Sequence, residues 1–153
     1  MRRTALLSAC FLILLTLLCA CSQGKKTGDA AAVYSALEKT GVLPSMIPMT
    51  ADELYDLTGI APEDYTDAAC YEASDGLLAD EVLLFTASDL DAAARIENAL
   101  HRRLDSKAAE AEGYSPEQFA VIKKGFIAKS GLNLCLIVSP EADRLKSVYG
   151  EYR

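Results

Sequence analysis

The stretch AACYEASDGLLADEVLLFTASDLDAAARI, residues 68–96, changes its hydrophobic period twice, and its reading decides the fold. Residues 68–73 alternate, as a strand with one buried face does. Ser74-Asp75-Gly76 is a turn signal, and residues 81–86 form an apolar strand, so the first part reads as a β-hairpin. Ser88 then caps a helix predicted over residues 89–112. Ala92, Ala93, Ile96, Ala99, Leu100, Arg103 and Leu104 fall along one face of it.

Working outward, Ser115-Pro116-Glu117-Gln118 reads as a capping box with proline at the first helical position, opening a short helix that ends near Lys124. Residues 125–129 and 132–138 pair as a second hairpin across Ser130-Gly131. Ser139-Pro140-Glu141 starts a final helix carrying Val148 and Tyr149. Before the first hairpin, a helix is predicted over residues 29–39, followed by a loop punctuated by Pro44 and Pro48. The capping box Thr50-Ala51-Asp52-Glu53 opens a helix that stops at Gly59. The expected architecture is α+β: a mostly antiparallel four-stranded sheet built as hairpin-helix-hairpin-helix. The helices pack on one face, and a helical N-terminal segment precedes the sheet.

The N-terminus follows a different logic. After Met1, Arg2 and Arg3, residues 5–20 are apolar apart from Ser8 and Thr16. That run is short for a spanning helix, which needs about 20 apolar residues. It ends on Leu18-Cys19-Ala20-Cys21 and passes at once into SQGKKTG. The tetrapeptide resembles the bacterial lipobox, in which the last cysteine carries the lipid. The resemblance implies a signal peptide over residues 1–20, lipid attachment at Cys21, and a flexible tether over 21–28. A single domain over 29–153 would follow. Membrane lipid, through Cys21, is then one partner, and two or more acyl chains hold a protein stably at a bilayer. The expected location is the extracytoplasmic face of the cell membrane.

Removing residues 1–20 takes away two arginines and no acid, leaving 133 residues with net charge −9. So acidic a domain lacks the clustered Lys and Arg that nucleic acid requires. The same charge predicts repulsion from anionic lipid, except at Lys25 and Lys26. Among the cysteines, Cys10 and Cys19 leave with the signal and Cys21 is acylated. Cys70 and Cys135 remain, an even pair that permits one disulfide outside the cytoplasm. Strand parity groups Cys70 with Glu72, and Cys135 with Asn133 and Ser139, which puts both thiols on the less buried face.

No assembled catalytic set is visible. The only histidine, His101, lies beside Arg102 and Arg103 in the long helix, away from either thiol. One His and two distant Cys do not make a zinc site. Neither Asp52, Glu53 and Asp56 nor Glu63, Asp64 and Asp67 has a calcium-loop spacing. No metal site and no cofactor is therefore expected. Asp80 and Glu81 are adjacent, and neighbours on a strand point to opposite faces. Tyr55, Tyr65, Tyr71 and Tyr114 fall near element ends, where tyrosine suits a half-polar contact surface.

LYDLTGIAPEDY, ADEVLLF, GYSPEQF and GLNLCLIVSPEA, in that order behind a lipobox, resemble small bacterial lipoproteins of the domain-of-unknown-function family forty-three fifty-eight. The resemblance spans roughly residues 30–150. It implies the outer face of a cytoplasmic membrane and carries no activity. The functional expectation is a membrane-anchored extracytoplasmic interaction or binding module, its partner an envelope protein, peptide or glycan. The alternatives are a small envelope enzyme using Cys70 or Cys135 as nucleophile, and a small-ligand carrier.

Overall fold

The computed structural model describes Lys26 and residues 28–152. Among these, five α-helices and five strands alternate as α1 (Ala30–Glu38), β1 (Met46–Pro48), α2 (Ala51–Thr58), β2 (Tyr65–Ala73), β3 (Glu81–Ala87), α3 (Leu90–Glu112), α4 (Pro116–Ile122), β4 (Phe126–Ser130), β5 (Asn133–Val138) and α5 (Ala142–Gly150). A single 3₁₀ turn, Pro62–Asp64, leads into β2. The sheet order is β1-β2-β3-β5-β4, antiparallel at every pairing. The two predicted hairpins are β2–β3 and β4–β5, and they join through β3 and β5 at the centre.

Helices cover both faces of the sheet, not one as expected. Leu83, Phe85, Leu134 and Leu136 pack with Ala92, Ala93, Ile96 and Leu100 of α3 and Leu54 of α2. Val82, Leu84, Cys135 and Ile137 point the other way, onto Val33 and Leu37 of α1 and Leu145 of α5. The final helix thus lies opposite the long one. The residues of β3 and β5 are apolar at consecutive positions because both sides are buried. Each such Leu, Ile, Val or Phe contributes about 1.5–3 kcal/mol on leaving water.

The segment before the first hairpin is not wholly helical. Met46–Pro48 forms a fifth strand at the sheet edge, with Ile47 opposite Glu72 and Pro48 opposite Tyr71. Proline, which has no N–H to give a ladder, is confined to edge positions of this kind. The chain then re-enters the ladder at once, Met49 N donating to Cys70 O at 2.9 Å. The Thr50–Glu53 capping box is present, and α2 stops at Gly59 with φ 71°, a conformation glycine adopts without steric cost. The long helix is capped one residue later than predicted: Asp89 accepts from Ala92 N at 2.7 Å.

Candidate functional site

An open cleft of about 640 Å³ lies between the β2–β3 loop, the C-terminal half of α3 and α4. Local chemistry builds each wall. Asp75 Oδ1 accepts from Leu77 N at 3.0 Å, and Leu78 N donates to Asp75 O at 2.9 Å, folding the loop tightly. That fold turns Leu77 outward, 73% exposed, with Leu78 beside it. Across the cleft, Tyr114 is 85% exposed just before α4. Ser115 accepts from Gln118 N at 3.3 Å, which is half of the predicted capping box. The Gln118 side chain does not return to the cap. It accepts from Ala79 N at 2.9 Å and so ties α4 to the hairpin loop. Below α4, Gly125 leaves no room for a side chain: a Cβ there would stand 2.9 Å from Ile122 O and 3.0 Å from Val138 Cγ2.

The inner wall is ionic. Glu81, fully buried, accepts from Arg103 Nη2 at 2.7 Å and from Lys107 Nζ at 3.4 Å. Arg103 and Lys107 both line the cleft, and each is nearly buried. Asp80 is also buried, and its Oδ1 has no hydrogen-bond partner. Burial pushes the Asp80 carboxyl above its ordinary value, while the Ser139 hydroxyl and the Lys107 charge pull the other way. Although neighbours in sequence, Asp80 and Glu81 therefore share Lys107: Asp80 stands just before β3 begins, where strand alternation does not bind it. The two cations of the lining are held by these carboxylates. Among the described residues, Asp75, Glu110 and Glu117 of the lining make no ion pair. The cleft thus presents apolar side chains inside an acidic border.

The other sequence candidates are dispersed. No disulfide joins Cys70 and Cys135. Cys70 lies opposite Leu83 and faces α3, whereas Cys135 lies opposite Leu84 and faces α1 and α5. Strand β3 separates them, which is about 10 Å at the usual strand spacing. A disulfide needs Cα atoms about 4.4–6.8 Å apart. The bridge that the cysteine count permits is therefore not made in this sheet, and the two thiols are buried on opposite faces, not together on a less buried one as parity suggested. Burial pushes the Cys70 thiol up to about 12, so it carries no thiolate at neutral pH.

His101 is exposed on α3. Asp64 is held by Arg95 through Nη2 at 2.6 Å and Nε at 3.0 Å, a structural pair beneath the N-terminal half of α3. Among the described residues no cluster of three His, Cys, Asp or Glu could hold a metal, and no helix is long and apolar enough to cross a membrane. Tyr71 stacks on Tyr34 at 3.6 Å, and Tyr65 tilts against Phe85 at 5.6 Å, so both belong to the packing. Tyr55 and Tyr114 remain exposed. Cys21 and the predicted signal peptide lie outside the described residues. Within the stretch expected as tether, Lys26 N donates to Glu151 O at 2.7 Å, and its Nζ meets Glu151 Oε2 at 2.6 Å.

The family model described as Domain of unknown function (DUF4358) matches residues 39–139. The chain belongs to this family. The span matched in DUF4358 covers the whole sheet, α2, α3, α4 and the cleft, and leaves out α1 and α5. No curated protein and no solved structure matches.

Proposed function

We propose that the protein is a lipid-anchored, extracytoplasmic binding module, and that the cleft between the β2–β3 loop and α4 is its ligand site. The lipobox-like Leu18-Cys19-Ala20-Cys21 supports the anchor. The observation that carries the site is the exposure of Leu77 and Tyr114, 73% and 85%, on opposite rims of one cleft. Large apolar side chains left in water on facing walls mark an interaction site more than a packing remainder. The ligand chemistry follows from the charges. Asp75, Glu110 and Glu117 border the opening, while Arg103 and Lys107 are engaged by Glu81. A peptide segment bearing an apolar side chain between Lys or Arg residues meets both requirements, as a segment of an envelope protein does. The protonated, buried Cys70 weighs against the nucleophile alternative, because a thiol attacks as its thiolate.

Amide chemical-shift mapping tests this reading with short peptides that place Leu or Phe between lysines, against the same peptides with glutamates. The expected shifts fall on residues 76–79 and 110–118 with the lysine peptides alone. They weaken at least tenfold in Leu77→Ser and fade with added salt. No shifts with the lysine peptides, or equal shifts with the glutamate peptides, would overturn the assignment.

A further inference from the structure

We propose that the layer formed by α1 and α5 is the side of the anchored domain that lies against an anionic lipid surface, leaving the cleft turned away from the membrane. The inference rests on the anchoring reading of Cys21 and concerns how the domain is presented, which that reading leaves open.

The first observation is where the chain enters the fold. Lys26 is bonded through its backbone and its side chain to Glu151, which caps the C-terminal end of α5. Gly28 follows against Tyr152, whose Cδ1 lies 3.3 Å from where a glycine substituent would stand. Five residue steps separate Cys21 from Lys26, a span of at most about 18 Å even when fully extended. A domain of this size is about 35 Å across. So short a leash keeps the entry point near the headgroups and prevents the opposite face from reaching them freely.

The second observation is how charge divides between the two helical layers. Residues 49–122 supply α2, α3 and α4, all on the cleft side, and hold 17 acidic against 4 basic residues. Residues 21–48 and 139–153 supply α1 and α5 and hold 6 basic against 5 acidic, while Lys123 caps α4 and Lys129 pairs with Glu97 of α3 on the cleft side. Exposed Lys39, Arg144 and Lys146 lie on these two helices or at their ends, with Arg144 Nη2 donating to Thr40 O at 3.2 Å and so bridging the two. Lys124 joins them by donating to Pro140 O at 3.2 Å. The field of an anionic leaflet decays within about 10 Å at 0.1 M salt. Cations on the near layer feel it, while the acidic layer is set back beyond the sheet. The repulsion expected from whole-chain charge thus falls on the side that faces away.

Fluorescence quenching tests the orientation on the full-length acylated protein in vesicles of phosphatidylglycerol and phosphatidylcholine carrying a headgroup spin label. A bimane probe is placed at Ser147→Cys on α5 or at Ser106→Cys on α3, both exposed sites, and the buried Cys70 and Cys135 stay unlabelled. The probe at position 147 should be quenched at least threefold more than that at 106. The triple change Lys39→Glu, Arg144→Glu and Lys146→Glu should bring the ratio toward one. Equal or reversed quenching, with acyl mass found on Cys21, overturns the orientation alone. Absence of acyl mass on Cys21 overturns the anchoring reading and the orientation with it.

Discussion

Replacing Arg103 by alanine removes the principal cation from Glu81, whose side chain is fully buried. In the folded protein the Arg103 guanidinium reaches Glu81 Oε1 at 2.7 Å through Nη2 and at 3.2 Å through Nε. After the change only Lys107 remains, at 3.4 Å. Leaving a buried charge without its partner costs about 3–5 kcal/mol, and the residual lysine argues for the lower end. Unfolding entropy of about 2.1 cal/mol/K per residue, over some 125 ordered residues, converts about 3 kcal/mol into a fall in Tm of about 11 °C. The assay is urea and thermal unfolding of the chain from residue 21 with Cys21→Ser. A cycle with Glu81→Leu separates the pair from the positions. The double variant Glu81→Leu/Arg103→Leu should lie closer to the parent than either single change, with a coupling of at least ~2 kcal/mol. An Arg103→Ala loss below ~1 kcal/mol, or additive single changes, would refute the buried-pair account of the cleft's inner wall.

Other outcomes are equally checkable. Gly125→Ala drives a methyl into Ile122 O and Val138, so it should cost about 1–3 kcal/mol in urea unfolding and broaden the amide resonances of α4. A stable variant would mean that α4 is free to shift. Asp80 has its pKa raised by burial, so between the unfolded and the folded pKa the folded state holds a proton that the unfolded state has released. Its charge therefore lowers stability as pH rises from near 4 through the folded pKa. Asp80→Asn should be more stable than the parent at pH 7 and lose that advantage toward pH 4; an advantage that grows on acidification contradicts the argument. For Cys70, a pKa of about 12 leaves roughly one molecule in ten thousand as thiolate at pH 8. Iodoacetamide should label neither Cys70 nor Cys135 in native protein and both in urea, whereas rapid native labelling would refute their burial.

The hairpins and α3 were legible because their signals are local: the period of two, the Ser-Asp-Gly and Ser-Gly turns, and the spacing of Ala92, Ile96 and Leu100. The second helical layer has its own signal in the sequence. VLLF and LCLIV are apolar at every position, which only strands buried on both faces require. Parity fails for the same reason, since Cys70 and Glu72 share a face that is itself covered. β1 lacks a local signal because a three-residue strand ending on Pro48 gains its pairing from β2, a partner distant in sequence. Gln118 looked like a cap because spacing cannot tell which of two nearby backbone donors an amide will accept from; the structure gives it Ala79 N. The cleft is a product of that tertiary choice, and its residues come from three separate segments.

The most direct test of the binding module is photo-crosslinking in cells from a benzoylphenylalanine at Leu77, with the same group at Leu90 as control. Both leucines are exposed, 73% and 71%, but only Leu77 lines the cleft. The account predicts adducts from position 77 whose crosslinked peptides carry an apolar residue beside Lys or Arg. Those adducts should be lost on adding Tyr114→Ser. Adducts equal from both positions, or crosslinked peptides without basic residues, would contradict it.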